Sequence, residues 1–228
     1  MTDGAAPPAR ATADVRAELV GLVRRGVAWP GWPAPPASAR PAAVLVLLGG
    51  LDDRPAHHRS RAVPPGLDVL LVARADTLTH HAGQISFPGG RVDPQDAGPV
   101  AAALREAVEE TGLDPAGVEV LGTVGELTLP VSDHRVTLVL AWWAQPSPVD
   151  VVDAGESAAV FRAPVADLLD PENRRTVVTT RRVRTHRSPG FLVGGHLVWG
   201  FTALVLDRLF DDLGWTEAWD AGRVVTAP

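Results

Sequence analysis

The sequence predicts an α/β fold in which a mixed sheet lies between helices. Three observations carry the prediction. Apolar runs of strand length recur along the 228 residues, segments with helical periodicity stand between them, and Gly- and Pro-rich connectors separate the two. Strands and helices alternate irregularly, with helices available for both faces of a sheet. No internal repeat divides the chain. This length supports one core with additions.

Taken in order, residues 1–12 read as a loose tail. Val15 to Arg25 carries apolar residues at Val15, Leu19, Leu22 and Val23, a helical period. Trp29 to Pro41 is too rich in proline for regular structure and reads as an extended connector. Ala42 to Leu48 is an apolar run expected as a buried strand, and Leu67 to Ala73 supplies the next strand after a polar, proline-bearing loop. Pro99 to Thr111 is the clearest helix, because proline suits a first turn and Gly112 suits the position after a last one.

Further on, Val118 to Leu121, Gly125 to Leu129 and Val136 to Trp143 read as strands. Phe161 to Leu169 reads as a strand entering a short helix. Thr176 to Thr180 and Phe191 to Val198 are expected as the two arms of an arginine-rich hairpin, and Phe201 to Leu209 as a second helix. The organisation expected is a helix and connector over residues 1–41, a main domain over 42–220 and a tail over 221–228, without a clean boundary.

Composition narrows the function classes. Hydrophobic residues at 46% and charged residues at 21% are ordinary for a soluble globular protein. A net charge of −6 argues against general nucleic-acid binding, which needs a basic face. With no cysteine, disulfides, zinc–thiolate sites and cysteine nucleophiles are excluded. All the basic residues are arginine, which reads as coding bias toward Ala, Gly, Pro and Arg. The N-terminal stretch lacks a basic region followed by an apolar core, and the apolar runs are too short to span a bilayer. The expectation is a cytoplasmic protein without a membrane partner.

The segment that carries chemistry is "GGRVDPQDAGPVAAALREAVEETGL", Gly89 to Leu113. Acids favour the start of a helix, yet Glu109 and Glu110 fall in its last turn, with Glu106 one turn behind. Spacings of three and four residues put the three on one face, where like charges cost roughly 0.2–0.5 kcal/mol per pair. Arg105 offsets part of this by pairing with Glu109. A divalent cation would reverse the sign of the cost, and hard oxygen ligands suit Mg²⁺ or Mn²⁺. The alternative is a solvated acidic face. The Gly-Gly turn before the helix lets main chain approach a ligand or metal closely and favours the cation.

This segment resembles the Nudix box, the glycine-to-"REUxEExGU" signature of the Nudix hydrolases, where U is aliphatic. "REAVEETGL", Arg105 to Leu113, matches at every signature position, with Ala107 as a small aliphatic residue. The front half differs: the box expects an acid eight residues before the arginine, and Asp96 stands nine before Arg105. That longer spacing resembles the coenzyme A pyrophosphatase subgroup, whose "FPGGxxDxxD" fits Phe87 to Asp96, including Asp93. The upstream stretch "LLVARADTLTHHAGQISFPGG" resembles the same subgroup at Arg74, Leu78, His81, Gly83 and Phe87. It departs at Thr79, usually arginine there. "VSDHRVTLVLAWW" resembles a further subgroup strand, with Leu138 in place of proline.

The resemblance implies a Nudix-like α/β/α sandwich with a mixed sheet, and Mg²⁺- or Mn²⁺-dependent hydrolysis of a diphosphate bond. For the subgroup the implied substrate is coenzyme A or an acyl derivative, split into phosphopantetheine and adenosine 3′,5′-bisphosphate. Carried over by position, Glu106 and Glu110 are the metal ligands, Glu109 stands close behind, and the carbonyl of Gly90 completes the set. Arg105 orients the glutamates. The general base is a box glutamate, Glu109 included, or a later acid; Glu156 is the candidate, its alternative being an ordinary loop acid. Arg74, His81, Gly89 and Gly90 are the expected substrate contacts, and His80 lies beside them.

Arg174, Arg175, Arg181, Arg182, Arg184 and Arg187 either grip an extra phosphate or form a solvated edge hairpin. Trp142, Trp143 and Trp199 read as core rather than adenine platforms. The partner expected is a small-molecule diphosphate, and a homodimer is allowed. Two other functions stay open: a Nudix diphosphatase for ADP-ribose, a dinucleotide or a nucleoside diphosphate derivative, and a non-catalytic nucleotide-sensing module. Retention of all three box glutamates weighs against the last.

Overall fold

The computed structural model describes residues 11–36, 38–50, 56–75, 83–129, 133–155, 157–181 and 184–228. In chain order its strands are β1 (Arg40–Gly50), β2 (Leu67–Arg74), β3 (Ile85–Ser86), β4 (Gly89–Arg91), β5 (Val118–Leu129), β6 (His134–Trp143), β7 (Ser157–Pro164), β8 (Arg174–Arg181), β9 (Arg184–Val193), β10 (His196–Val198) and β11 (Val224–Thr226). The helices are α1 (Thr12–Arg25), α2 (Pro99–Thr111), α3 (Val165–Leu169) and α4 (Gly200–Asp212).

The run "AAVLVLL" is apolar at every position because β1 is central and covered on both faces. One edge of β1 pairs in parallel with β6 from Arg40↔His134 to Leu48↔Trp142. Its other edge is shared. Leu48–Gly50 pair with the start of β2, and Ala42–Val44 pair with β4. Where β1 and β2 part, residues 85–91 enter the gap: β3 pairs with Val72 and Ala73 of β2, and β4 with β1. The Gly89–Gly90 step, expected from the sequence as a turn, is instead strand, held inside the sheet as part of β4. β7 lies outside β2, and β5 outside β6, giving seven strands in a mixed sheet.

Both faces are covered, as the sequence predicts. On one, α2 lays Ala102, Ala103 and Ala107 against Ala43, Leu45, Leu47, Leu70, Val139 and Ala141. Alanine at each contact lets the helix lie close to the strands, which brings its acidic end near β4. On the other face, Leu19 and Leu22 of α1 and Ala203, Leu206 and Leu209 of α4 pack on Val46, Leu48, Leu71 and Leu140. The edge of β5 is closed by the "WPGW" connector. Trp29 Nε1 donates to the Val124 carbonyl at 2.8 Å, and Trp32 Nε1 to the Thr128 carbonyl at 2.9 Å. These indoles occupy an edge that would otherwise offer pairing groups. Among the described residues, no helix is long and apolar enough to cross a membrane.

Two expectations are corrected. Val118–Leu121 and Gly125–Leu129 are one strand, β5, kept continuous across register shifts at Val120/Gly122 and Thr123/Gly125. In the arginine-rich region Thr176–Thr180 lie in β8, but the second arm is β9, which begins at Arg184. Phe191–Val198 instead spans the end of β9, the Gly194–Gly195 turn with φ of 57° and 81°, and β10. Pro189 does not break β9, because β10 pairs only with Phe191–Val193 and leaves the edge beside Pro189 without a ladder bond to lose. β8 to β11 form a second, four-stranded sheet in the order β10-β9-β8-β11.

Candidate active site

Helix α2 begins with Pro99 and ends before Gly112, whose φ of 68° is the left-handed cap that glycine adopts freely. Glu109 and Glu110 therefore do lie in the last turn, with Glu106 one turn behind, and no basic residue shares that turn. The compensation comes from elsewhere. Arg105 Nη1 donates to Glu106 Oε1 at 3.1 Å and to Glu109 Oε2 at 3.0 Å. Glu110 accepts the Gly89 amide at 3.0 Å, so the last turn of α2 grips the start of β4 directly.

Arg105 is anchored from the other side of its guanidinium. Nε and Nη2 donate to the two carboxylate oxygens of Asp96 at 3.1 and 3.0 Å, and Nη2 also donates to the Arg91 carbonyl at 3.0 Å. Asp96 is nearly buried and takes the Asp93 amide as well, at 2.8 Å. The nine-residue spacing thus still delivers a fork-on-fork pair. Between β4 and α2 the chain turns and bends over 94–98, with the Asp96 amide donating to the Asp93 carbonyl at 3.0 Å.

The electrostatics follow. Hydrogen bonding to Arg105, then to the Asp93 amide, holds the Asp96 carboxyl below the ordinary aspartate range. The same bond to Asp96 raises Arg105 further above the usual arginine value. Glu106 is pushed up, chiefly by burial, with Glu109 and Asp93 adding to the rise and Arg105 opposing it.

The glycines have steric reasons. A Cβ on Gly89, at φ 154°, would overlap the Ala43 carbonyl and fall 2.7 Å from Val44 Cα. A Cβ on Gly90 would come within 2.5–2.6 Å of the Glu106 carboxyl carbon and oxygens. The Glu106 carboxylate thus rests over bare backbone at Gly90, a cradle that any side chain would fill. Oxygen donors around an open glycine main chain fit a hard divalent cation. Among the described residues, no three acidic or histidine side chains are already grouped tightly enough to hold one; here Arg105 is the counter-charge to Glu106 and Glu109.

Of the other expected site residues, Arg74 ends β2 opposite the residues that lead into β3, its amide donating to the Gln84 carbonyl at 3.0 Å and its carbonyl accepting from the Gly83 amide at 3.2 Å. Its buried Nε has no hydrogen-bond partner among the described residues. His80, His81 and Glu156 lie outside the described residues; Ser157, next to Glu156, pairs with Arg74.

Arg174 fits neither reading of the basic hairpin. It is 1% exposed, pairs with Asp207 of α4, and lies between the rings of Phe191 at 4.4 Å and Trp219 at 4.6 Å. It is part of the packing between α4 and the second sheet, which the density of arginines around it obscured. Arg187 is exposed, and the side chains of residues 181–184 are not described. Trp142 and Trp143 are core, as expected, whereas Trp199 is half-buried at the entry to α4.

Comparison with known proteins adds the following. The family model described as "NUDIX domain" matches residues 59–173. The chain is 38% identical over 154 residues to the uncharacterized Nudix hydrolase NudL of Cronobacter sakazakii, covering 68% of this chain and 78% of that one. It is 36% identical over 166 residues to NudL of Escherichia coli, covering 69% and 84% respectively. A solved structure of a Nudix hydrolase from M. smegmatis, RenU, superposes with a TM-score of 0.50 at 21% identity, covering 84% of this chain and 99% of that one. That likeness bears on the fold.

Proposed function

The chain belongs to the Nudix hydrolase family, whose members hydrolyse diphosphate bonds and generally use divalent cations, and on that premise we propose that it cleaves coenzyme A or an acyl-coenzyme A. The products are phosphopantetheine, free or acylated, and adenosine 3′,5′-bisphosphate. One observation carries the reading. The longer spacing of "FPGGRVDPQD", which resembles the coenzyme A subgroup, still brings both oxygens of Asp96 onto Arg105.

Glu106 and Glu110, with Glu109 beside them, would hold Mg²⁺ or Mn²⁺, with the Gly90 carbonyl completing the set. When bound, the cation supplies charge to the diphosphate and acidifies a neighbouring water. Arg105 keeps Glu106 and Glu109 on one side of the helix, a task of orientation. Arg74 and His81 contact the substrate. Glu156 takes the proton of the attacking water, with Glu109 the alternative. Phosphoryl chemistry of this kind depends mainly on positioning and charge.

ADP-ribose, a dinucleotide or another nucleoside diphosphate derivative is the second reading, favoured by Thr79 and Leu138, which depart from the subgroup's motifs. Incubation with Mg²⁺ and coenzyme A, ADP-ribose or NADH, with products identified by mass, separates the two. Release of adenosine 3′,5′-bisphosphate from coenzyme A is expected; turnover of ADP-ribose alone would sink the coenzyme A reading.

A further inference from the structure

The segment leading into β4 is fixed from the α2 side by Glu110 and Arg105, but it also has a tie from the opposite face of the sheet. Thr202, in the first turn of α4, is 4% exposed. Its Oγ1 donates to the carbonyl of Ile85 at 3.0 Å, across 117 residues of sequence. A hydroxyl in a first helical turn commonly serves the helix's own end. Here it is directed to β3, four residues before Gly89.

The segment from Ile85 to Arg91 transmits position with little slack. Ile85 and Ser86 pair with β2, Phe87 is buried, the Pro88 carbonyl accepts the Leu45 amide at 2.8 Å, and Gly89–Arg91 pair with β1. Helix α4, in turn, is held by both additions to the sheet. Phe201 meets Trp32 edge-on at 5.9 Å, and Asp207 pairs with the buried Arg174 of the second sheet. None of Trp32, Arg174, Phe201, Thr202 and Asp207 falls in the segment that the family model matches, residues 59–173.

From this we infer that Thr202 is a positioning residue for the hydrolysis, through which α4 and the additions docked on it set the height of Gly89–Gly90 in β4 against the glutamates of α2. The inference rests on the assignment of these glycines to the metal site. Loss of the hydroxyl leaves the Ile85 carbonyl buried without this donor, and the 85–91 segment is free to shift relative to Glu106 and Glu110.

The experiment compares Thr202→Val, which keeps the shape and loses the donor, with Thr202→Ser, which keeps the donor. Four readouts are taken: kcat and KM with coenzyme A and with ADP-ribose, Mn²⁺ binding by calorimetry without substrate, amide exchange over residues 85–91, and urea unfolding. Thr202→Val is expected to lower kcat about tenfold or more with KM little changed, because sub-ångström misplacement is felt in kcat. Mn²⁺ binding weakens several-fold, exchange over 85–91 quickens, and the protein stays folded in buffer. Thr202→Ser restores all of these to within about twofold.

Wild-type exchange over 85–91 in Thr202→Val would overturn the inference. So would a loss of activity that only tracks the folded fraction, or a failure of serine to rescue. Faster exchange with unchanged Mn²⁺ binding and kcat would instead remove Gly89–Gly90 from the metal site. If the wild type cleaves neither substrate, the substrate assignment fails, and exchange with Mn²⁺ binding still decides the role of Thr202.

Discussion

Gly90→Ala tests the site without removing any charged group. The new Cβ would stand 2.5 Å from the nearest Glu106 carboxyl atoms, so the carboxylate must retreat by about 0.9 Å to reach an ordinary 3.4 Å contact. The obstacle is the end of a flexible side chain, so the fold can yield at little cost. Alanine also restricts the unfolded chain, worth roughly 0.4–1 kcal/mol in favour of the variant. Stability should therefore change by less than about 1 kcal/mol. Activity should not escape, because a misplacement near 1 Å in positioned machinery costs on the order of 10²-fold. Gly89→Ala is the control. There the obstacle is sheet backbone, at Ala43 and Val44, and φ is 154°, so a cost of about 3 kcal/mol or more is expected. Urea unfolding, Mn²⁺ calorimetry and diphosphatase rates on both variants give the comparison. Full activity and unchanged Mn²⁺ affinity in Gly90→Ala would refute the placement of Glu106 at the metal. Equal destabilisation of the two variants would refute the steric reasoning.

Three further outcomes follow from the same geometry. Glu110→Gln keeps an oxygen to accept the Gly89 amide, so the unfolding midpoint should hold while metal-dependent turnover falls by about 10²-fold or more; a variant active at the wild-type rate contradicts the ligand assignment. The Asp96 carboxyl is held below its ordinary value of 3.8, so between the folded and unfolded values the unfolded chain carries more protons and stability rises with pH. Its contribution is complete above that ordinary value and lost as pH falls through the folded one. Urea midpoints from about pH 6 to about pH 3 should therefore fall less steeply in Asp96→Asn, and parallel curves would dismiss the linkage. Asp207→Asn strips the counter-charge from Arg174 and should cost about 3 kcal/mol by urea unfolding; a change below about 0.5 kcal/mol would mean the two rings alone suffice.

The legible parts of this molecule are those written in local sequence. Helix α2 follows from Pro99, Gly112 and the period between them, and its acids announce themselves by standing at the wrong end. Strand β1 was legible because Ala42 to Leu48 is apolar at every position, and β2 because Asp68 is the one polar residue between Leu67 and Ala73. The division of β1's edge between β2 and β4 was not, because it depends on which partner fills the gap where two strands part. The contacts of Glu110 with Gly89 and of Thr202 with Ile85 were hidden for the same reason: each joins segments 21 and 117 residues apart. The second sheet escaped because β10 and β11 are three residues long, too short for a strand period to show.

The acids at the end of α2 raise one more question, which the guanidinium of Arg105 answers. Three carboxylates on one face repel, and a cation held permanently among them would leave a metal nothing to bind. Arg105 divides its donors instead. Nε and Nη2 are committed to Asp96 and the Arg91 carbonyl, while both glutamates share Nη1 alone. Release of either glutamate from Nη1 therefore leaves the anchor intact, and the side chain stays in place to orient the other. A lysine could neutralise the glutamates as a point charge but could not hold this split, since it lacks the fixed fork. The acid ahead of the arginine thus matters by its reach, not its spacing, and a loop with one residue more than the general box can serve as well as the shorter one, provided its turn still carries both oxygens of Asp96 to Nε and Nη2.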